Sequence, residues 1–179
     1  MRRSFTIVLG AGTAALAACN SSGVPGAERS GTLSGARAVP LLNASGQSIG
    51  EVRVGENATG INLLVTARGL PPGVHGIHVH DVGACDPPDF KTAGPHWNPA
   101  GKQHGSENPQ GAHMGDLQNV TVEPDGSLSA EVAVPGGAAS PMLDANGAAL
   151  VIHADPDDYK TDPSGNSGAR IACAVLGSQ

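Results

Sequence analysis

The stretch GVHGIHVH at residues 73–80 combines a strand pattern with a concentration of histidine. Three of the seven histidines in the 179-residue chain, His75, His78 and His80, fall within it. Successive side chains of an extended strand point to opposite faces, so residues two apart share a face. His78 and His80 are therefore predicted to present two imidazoles, which are common metal ligands, on one face of a strand. Two histidines on a solvated strand face are the alternative.

Similar short runs of aliphatic and β-branched residues recur along the chain, separated by turns rich in Gly, Pro and Asn. No segment has a sustained helical period with capping residues. The chain is therefore predicted to be all-β: an eight-stranded antiparallel Greek-key barrel or sandwich. The predicted strands are residues 31–39, 48–54, 60–68, 73–80, 117–123, 127–134, 148–153 and 169–176.

Two long segments without a strand pattern, residues 81–116 and 154–168, interrupt this regular spacing. Ordered loops of this length are usually functional or are held by something other than a hydrophobic core. The remaining histidines and one aspartate lie in or beside these loops: His96, His104, His113, Asp116 and His153. Both loops are therefore predicted to be functional.

The candidate ligands suit two kinds of metal site. Three imidazoles and a carboxylate form a closed tetrahedral set that suits zinc. A set made only of imidazoles, with one side open, suits copper, which can change its oxidation state there. Six histidines and one aspartate are one ligand short of two separate four-ligand sites. A single histidine that used both ring nitrogens would complete both.

The N-terminus has the pattern of an export signal. Arg2 and Arg3 precede the apolar stretch FTIVLGAGTAALAA, which is long enough for a signal peptide but short for a membrane span. The stretch ends in LAAC, which resembles the cleavage motif of bacterial lipoproteins, so Cys19 is expected to be the acylated first residue of the mature chain. Cleavage of an ordinary signal peptide nearby is the alternative.

These features divide the chain into three predicted parts. Residues 1–18 form a lipoprotein-type signal peptide, residues 19–30 a flexible tether rich in Ser and Gly, and residues 31–179 one domain. The protein is expected to be exported and anchored by lipid in the cell envelope, on a periplasmic or extracellular face. The arginine pair is only part of a twin-arginine signal, so the general and twin-arginine routes both stay open.

The predicted export indicates whether the two remaining cysteines form a disulfide. Cys85 and Cys173 form an even pair in a chain bound for an oxidising compartment, where disulfides form and persist. One disulfide between them is therefore predicted, and two separate buried thiols are the alternative.

Several separated motifs together resemble one protein family. They are GVHGIHVH at 73–80 followed by Cys85, AGPHWNP at 93–99, KQHG at 102–105, HMGDL at 113–117, VIHADPDD at 151–158 and GARIAC at 168–173. Their order and spacing are similar to those of the copper,zinc superoxide dismutase family, over most of the predicted domain. The resemblance implies an enzyme that converts superoxide to oxygen and hydrogen peroxide, with a redox-cycling copper next to a structural zinc.

The resemblance also implies a ligand set for each metal. The implied copper ligands are His78, His80, His96 and His153. The implied zinc ligands are His96, His104, His113 and Asp116. His96 would then bridge the two metals as an imidazolate and carry a proton during turnover.

Other positions match family residues that do not bind metal. His75 falls at a histidine that is expected to hold strand and loop together by hydrogen bonds. Asp157 matches a carboxylate that links copper and zinc ligands and fixes their tautomers. Arg170 matches the arginine beside the copper opening, and the Cys85–Cys173 pair matches the family disulfide, which would tie the metal loop to the strand that carries this arginine.

The net charge of the chain limits the kinds of molecule that it is expected to bind. The chain has a formal net charge of −6 and no run of Lys or Arg, which argues against a nucleic-acid partner. An anionic substrate such as superoxide gains nothing from this overall charge, so a local positive field at the site is needed. Arg170, the copper ion and Lys160 are the predicted sources, and a solvated loop charge is the alternative for Lys160.

Two other functions use the same sequence features. A lipoprotein that stores or buffers copper or zinc, with little turnover, would need the same ligands. A β-sandwich adhesion module with surface histidines would bind neither metal tightly. A homodimer is compatible with the sequence, which selects no dimer contact.

Overall fold

The computed structural model describes residues 37–57, 60–136 and 142–177. These residues are almost entirely strands and loops, with one short 3₁₀-helix at Lys91–Ala93 among the elements described. The predicted all-β class is therefore confirmed. The described strands are β1 Arg37–Asn43, β2 Ser48–Asn57, β3 Gly60–Ala67, β4 Gly73–His75, β5 Ile77–His80, β6 Val120–Val122, β7 Leu128–Val134, β8 Ala148–His153 and β9 Arg170–Gly177.

Seven of these strands form one antiparallel sheet in the order β5-β8-β9-β1-β2-β3-β7, and β4 pairs with β6 in a small second sheet. The sheet order departs from the chain order at β8 and β9, which lie between β5 and β1. This crossover brings β5, β8 and β9 side by side. The two long loops begin at the ends of β5 and β8, so they leave opposite ends of this antiparallel pair of neighbouring strands.

The predicted strand at 73–80 is divided in two by Gly76. The amide of Gly76 donates to the Asp155 carbonyl at 2.9 Å, and its carbonyl accepts from the His153 amide at 2.8 Å. A side chain here would place a Cβ atom 2.8 Å from Oγ of Ser167. The prediction of one continuous strand is wrong because the second loop packs directly against the chain at this glycine.

Other predicted strand boundaries also differ from the structure: the strand predicted at 48–54 continues to Asn57 as β2. The predicted strand 31–39 overlaps β1 only at residues 37–39, and residues 31–36 lie outside the described part of the chain. The predicted strand 117–123 is reduced to β6, because the Asn119 amide donates to the Tyr159 hydroxyl at 2.8 Å instead of to a neighbouring strand. The chain therefore enters β6 from a loop contact.

The predicted signal peptide, the tether and Cys19 also lie outside the described residues. Within the part that the structure describes, no helix is long and apolar enough to cross a membrane.

The core is aliphatic, as the shortage of aromatic residues suggests. Leu41, Leu63, Ile77 and Leu150 are fully buried members of one large cluster. All residues of β5 and β8 are buried. The isoleucine and valine of β5 join the core cluster, while its two histidines lie on the alternate face under the loops. The sheet therefore supplies a rigid base for the histidines.

Candidate metal centre

Backbone pairing brings the first long loop onto β5. The Val79 amide donates to the Gly115 carbonyl at 2.9 Å, and its carbonyl accepts from the Trp97 amide at 2.8 Å. Isolated bridges then set His96 opposite His80 and Asp116 opposite His78. The strand therefore positions loop ligands beside strand ligands, although they are far apart in sequence.

Four imidazoles meet in a first group, which we call the copper-side group: His78 and His80 from β5, His96 from the loop and His153 from the end of β8. One ring nitrogen from each lies within 4.8 Å of the other three. The buried nitrogens without a hydrogen-bond partner are Nδ1 of His78 and Nε2 of His80, His96 and His153. Buried polar atoms without a partner are rare and costly in proteins. The four nitrogens therefore fit a soft or borderline metal that accepts imidazole ligands.

Three imidazoles and a carboxylate form a second group, the zinc-side group: His96, His104, His113 and Asp116. Oδ1 of Asp116 lies 2.9 Å, 3.0 Å and 3.1 Å from Nδ1 of His96, His104 and His113. The Nδ1 atoms of His113 and His96 are 3.4 Å apart. Zinc–nitrogen bonds of about 2.0–2.1 Å separate neighbouring tetrahedral ligands by about 3.3 Å. The donor set and its spacing therefore fit one zinc ion.

His96 belongs to both groups through different ring atoms. Its Nδ1 lies among the zinc-side atoms, and its Nε2 is one of the unpartnered copper-side nitrogens. The residue is only 6% exposed, so its side chain cannot leave either group for solvent without a rearrangement. This is the shared histidine that completes two four-ligand sets.

Asp157 connects the two groups through hydrogen bonds to one imidazole of each. Its Oδ2 accepts from Nε2 of His78 at 2.7 Å, and its Oδ1 accepts from Nε2 of His104 at 3.0 Å. Each bond leaves the Nδ1 atom of that imidazole facing the metal groups. Asn119 fixes Asp157 in turn, because its side chain donates to the Asp157 carbonyl at 2.9 Å and accepts from the Asp157 amide at 2.9 Å. Sequence reasoning missed Asn119, whose isolated position carries no local signal.

His75 stays outside both groups. Its ring nitrogens lie 2.8 Å from the carbonyl oxygen of His153 and 2.8 Å from that of Pro71. These contacts connect β4 with the end of β8, which carries His153.

Burial keeps the copper-side imidazoles neutral. Desolvation lowers the pKa of His80 to about 2 and that of His96 and His153 to about 4. Burial also lowers the pKa of His78, although the hydrogen bond to Asp157 opposes this. Neutral imidazoles have a lone pair for a metal, so these residues are in the ligating protonation state at neutral pH.

In the zinc-side group, the pKa of one histidine is raised instead of lowered. Burial alone would lower the pKa of His104, but the bonds to Asp116 and Asp157 raise it to about 9. Burial likewise opposes ionisation of both carboxyls, yet their hydrogen bonds to His104 and other donors hold the pKa of Asp116 and of Asp157 well below its usual value. His104 is therefore an imidazolium between two carboxylates in the metal-free chain, and zinc must displace one of its protons.

A cavity of about 460 Å³ opens onto the copper-side group, and we call it the copper mouth. His80, His96 and His153 line it together with Arg170 and Lys91. Two positive side chains thus face an opening that leads to the unpartnered nitrogens. Such a local field attracts anions even to an acidic protein.

Arg170 is held at the copper mouth by backbone oxygens. Its Nη1 donates to the Phe90 carbonyl at 2.7 Å, and its Nη2 donates to the Gly94 carbonyl at 2.8 Å. The predicted disulfide is confirmed between Cys85 and Cys173, whose Cα atoms are 5.7 Å apart. It ties the loop that supplies these two carbonyls to β9, which carries Arg170.

Lys160 does not take the predicted place. Its Nζ pairs with Oε2 of Glu107 at 2.7 Å, and among the described residues Lys91, not Lys160, lines the copper mouth. These contacts favour the alternative for Lys160, an exposed loop charge, because the second loop turns this side chain toward an acidic partner. Lys91 could have been found from its position between Cys85 and His96, inside the loop that the disulfide fixes.

Comparisons with known proteins agree with this geometry. Residues 48–176 match the family model for copper/zinc superoxide dismutase. "Superoxide dismutase [Cu-Zn] 2" of Aquifex aeolicus is 42% identical over 142 residues, covering 76% of this chain and 83% of that protein. "Superoxide dismutase-like protein YojM" of Bacillus subtilis is 41% identical over 145 residues, covering 77% and 74%.

Solved structures give the same result. The crystal structure of a SOD-like protein from Bacillus subtilis superposes with a TM-score of 0.74 at 40% identity, covering 78% of this chain and 97% of that one. The Cu/Zn superoxide dismutase from Brucella abortus superposes with a TM-score of 0.65 at 30% identity, covering 79% and 99%. The chain belongs to the copper/zinc superoxide dismutase family.

Proposed function

We propose that the protein is a superoxide dismutase that binds copper at the copper-side group and zinc at the zinc-side group. The observation that carries this function is the set of four buried, unpartnered imidazole nitrogens at the end of a cavity lined by two cations. Unpartnered nitrogens suit a metal, and the cations suit an anionic substrate. A site for metal alone needs only the first of these features.

The ligand assignments belong to this proposal. Copper is held by His78, His80, His96 and His153, and zinc by His96, His104, His113 and Asp116. Asp157 positions His78 and His104 through their Nε2 atoms, and His75 positions the end of β8. These roles are supported by the contacts of each ring nitrogen described above.

In the proposed mechanism, bound copper supplies one-electron chemistry: one superoxide loses an electron to become dioxygen, and a second gains an electron and two protons to become hydrogen peroxide. Arg170 binds and orients the anion at the copper mouth, since its guanidinium is fixed by two carbonyls before the substrate arrives. In the reduction of the second superoxide, His96 would hold a proton at Nε2 while that nitrogen does not bind copper and would donate it to the substrate, and solvent would supply the second proton. The burial of His96 excludes bulk water from Nε2.

Pulse radiolysis of the copper- and zinc-loaded protein tests this function against metal storage. The enzyme is expected to remove many equivalents of superoxide with a rate constant approaching about 10⁸–10⁹ M⁻¹ s⁻¹. The rate is expected to fall as salt screens the cations at the copper mouth. Consumption of only one equivalent per copper would instead support a storage or buffering protein.

Asp89 is expected to restrain the positive field at the copper mouth. Its Oδ2 pairs with Nζ of Lys91 at 2.6 Å, and its charge also reaches Arg170, where it opposes the lowering of the pKa by burial. Asp89→Asn is therefore expected to raise the rate constant for superoxide about twofold at low salt, and Lys91→Gln to lower it. Glu123→Gln makes the same charge change on an exposed residue outside the copper mouth and is the control. Equal rates for Asp89→Asn and this control would refute the restraint.

We also propose that residues 1–18 are a signal peptide and that Cys19 carries a lipid that anchors the domain in the cell envelope. The support is the sequence motif alone, with residues 19–30 as the tether. Cys19→Ser is expected to move the protein from the membrane fraction to the soluble fraction of an expressing bacterium, as measured by immunoblotting. Variant protein that stays in the membrane fraction would count against the lipid anchor.

A further inference from the structure

A second cavity, of about 560 Å³, opens onto the zinc-side group, and we call it the acidic cavity. His96 and His113 line it, and of the copper-side group only His96 does so. Both imidazoles are more than nine-tenths buried, at 6% and 8% exposure. The acidic cavity is therefore an approach to the zinc-side ligands that does not pass the copper mouth.

The two cavities have opposite charge. Among the residues that the structure describes, the acidic cavity is lined by Asp81, Asp144 and Asp162 against a single cation, Lys102. Within the described part of the chain, the copper mouth is lined by two cations and by no carboxylate. A divalent cation is therefore attracted to the acidic cavity, and the copper mouth repels it as it attracts an anion.

One of the lining carboxylates, Asp162, lies close to the zinc-side ligands. Asp162 is half-exposed, and its Oδ1 lies 4.0 Å from Nε2 of His113. The same Oδ1 accepts from the His104 amide at 2.6 Å, so Asp162 contacts the chain at a second zinc-side residue. Oδ1 of Asp81, which also lines the cavity, is a buried atom without a hydrogen-bond partner among the described residues. An unpartnered carboxylate oxygen can bind a passing cation without first losing another contact.

We propose that zinc enters through the acidic cavity, where Asp81, Asp144 and Asp162 attract it before it reaches His113 and His96. The inference rests on the zinc-side assignment within the proposed function. It separates the two tasks in space: zinc is loaded from one side of His96, and superoxide reaches the copper-side group from the other. The ligand recognised by the acidic cavity is a hydrated divalent cation.

Stopped-flow measurement of zinc uptake, with a zinc-sensitive dye, tests the route on the full chain prepared without metal and shown by circular dichroism to retain its β structure. Asp144→Asn keeps an oxygen for its bond from the Asn146 amide, and it is expected to slow uptake on the order of two- to fivefold at low salt. Lys102→Gln is expected to speed uptake by a similar factor. Only the backbone of Lys102 bonds to Asn98 in the structure, so the exposed side chain can be changed without loss of these bonds.

Glu131→Gln, which removes an exposed charge on β7, is the matched control and should not alter zinc uptake. High salt should reduce the differences, since screening weakens attraction at a distance. Equal rates for all variants, or slowing by Asp144→Asn that high salt leaves unchanged, would overturn the route. Neither readout uses superoxide, so a failure of the dismutase proposal in pulse radiolysis would leave the zinc measurements interpretable.

Discussion

Replacing His96 by alanine is expected to weaken copper and zinc binding together and to abolish most superoxide turnover. The substitution removes Nε2 from the copper-side group and Nδ1 from the zinc-side group in one step. Loss of a residue that merely supports a metal ligand costs about 10–100-fold in affinity or activity, so loss of a ligand shared by two metals should cost at least about 100-fold. Elemental analysis after dialysis gives the bound copper and zinc, and pulse radiolysis gives the turnover.

His75→Asn is the matched control for His96→Ala. His75 is also a buried histidine, at 3% exposure, but its ring nitrogens contact backbone carbonyls and not the metal groups. The control is expected to lose about 1–3 kcal/mol of stability, because carbonyl groups lose their partners, and to keep zinc bound, while its copper affinity falls less than that of His96→Ala. If His96→Ala lost one metal and kept the other at full occupancy, His96 would not be shared.

The strand pattern predicts most of the fold because alternation is a local property. In β5 the isoleucine and valine enter the core while His78 and His80 point to the other face, as the spacing of two requires. That local pattern also predicts two ligands. It does not predict the break at Gly76, which depends on Ser167 and on a loop that follows much later in the chain.

The remaining ligands follow from the sequence only through the resemblance to a family. His78 lies on β5 and Asp157 on the second long loop, 79 residues apart in the chain, and no periodicity connects a strand position with a loop position. Charge at the copper mouth is harder still to predict. Lys91 and Lys160 both lie near candidate ligands in the sequence, and only the folded loops show that one lines the opening while the other pairs with Glu107.

Asp157→Asn is expected to lower zinc affinity about 10–100-fold, when the affinity is measured at a pH high enough that His104 is already deprotonated. Both carboxylate oxygens of Asp157 accept from imidazoles, His78 at 2.7 Å and His104 at 3.0 Å. An asparagine side chain has one acceptor oxygen and a donor amide, so it cannot accept from both Nε2 atoms. One imidazole must lose its bond or change tautomer, which turns a protonated Nδ1 toward the metal. Affinity is measured by competition with a chelator of known strength.

The pH dependence of zinc binding separates this role from a general loss of structure. The pKa of His104 is raised to about 9, so the metal-free chain carries a proton there at neutral pH, and that proton must leave when zinc binds. Zinc affinity is expected to rise about tenfold per pH unit between pH 7 and about pH 9, and then to level off. In Asp157→Asn one of the two carboxylate charges that raise the pKa of His104 is gone, so the rise of zinc affinity with pH should end at a lower pH.

Asp155→Asn makes the same chemical change two residues away, on an exposed side chain of the same loop, and should keep the parent affinity and pH profile. A structural defect would lower the affinity of Asp157→Asn by one factor at every pH. The proposed role instead predicts that the difference in zinc affinity between the parent protein and Asp157→Asn is largest near pH 9, where only the tautomer matters. Near pH 7 the difference should be smaller, because His104 of the variant is less protonated and zinc has fewer protons to displace. A constant difference would show that Asp157 supports the loop without controlling the protonation of His104.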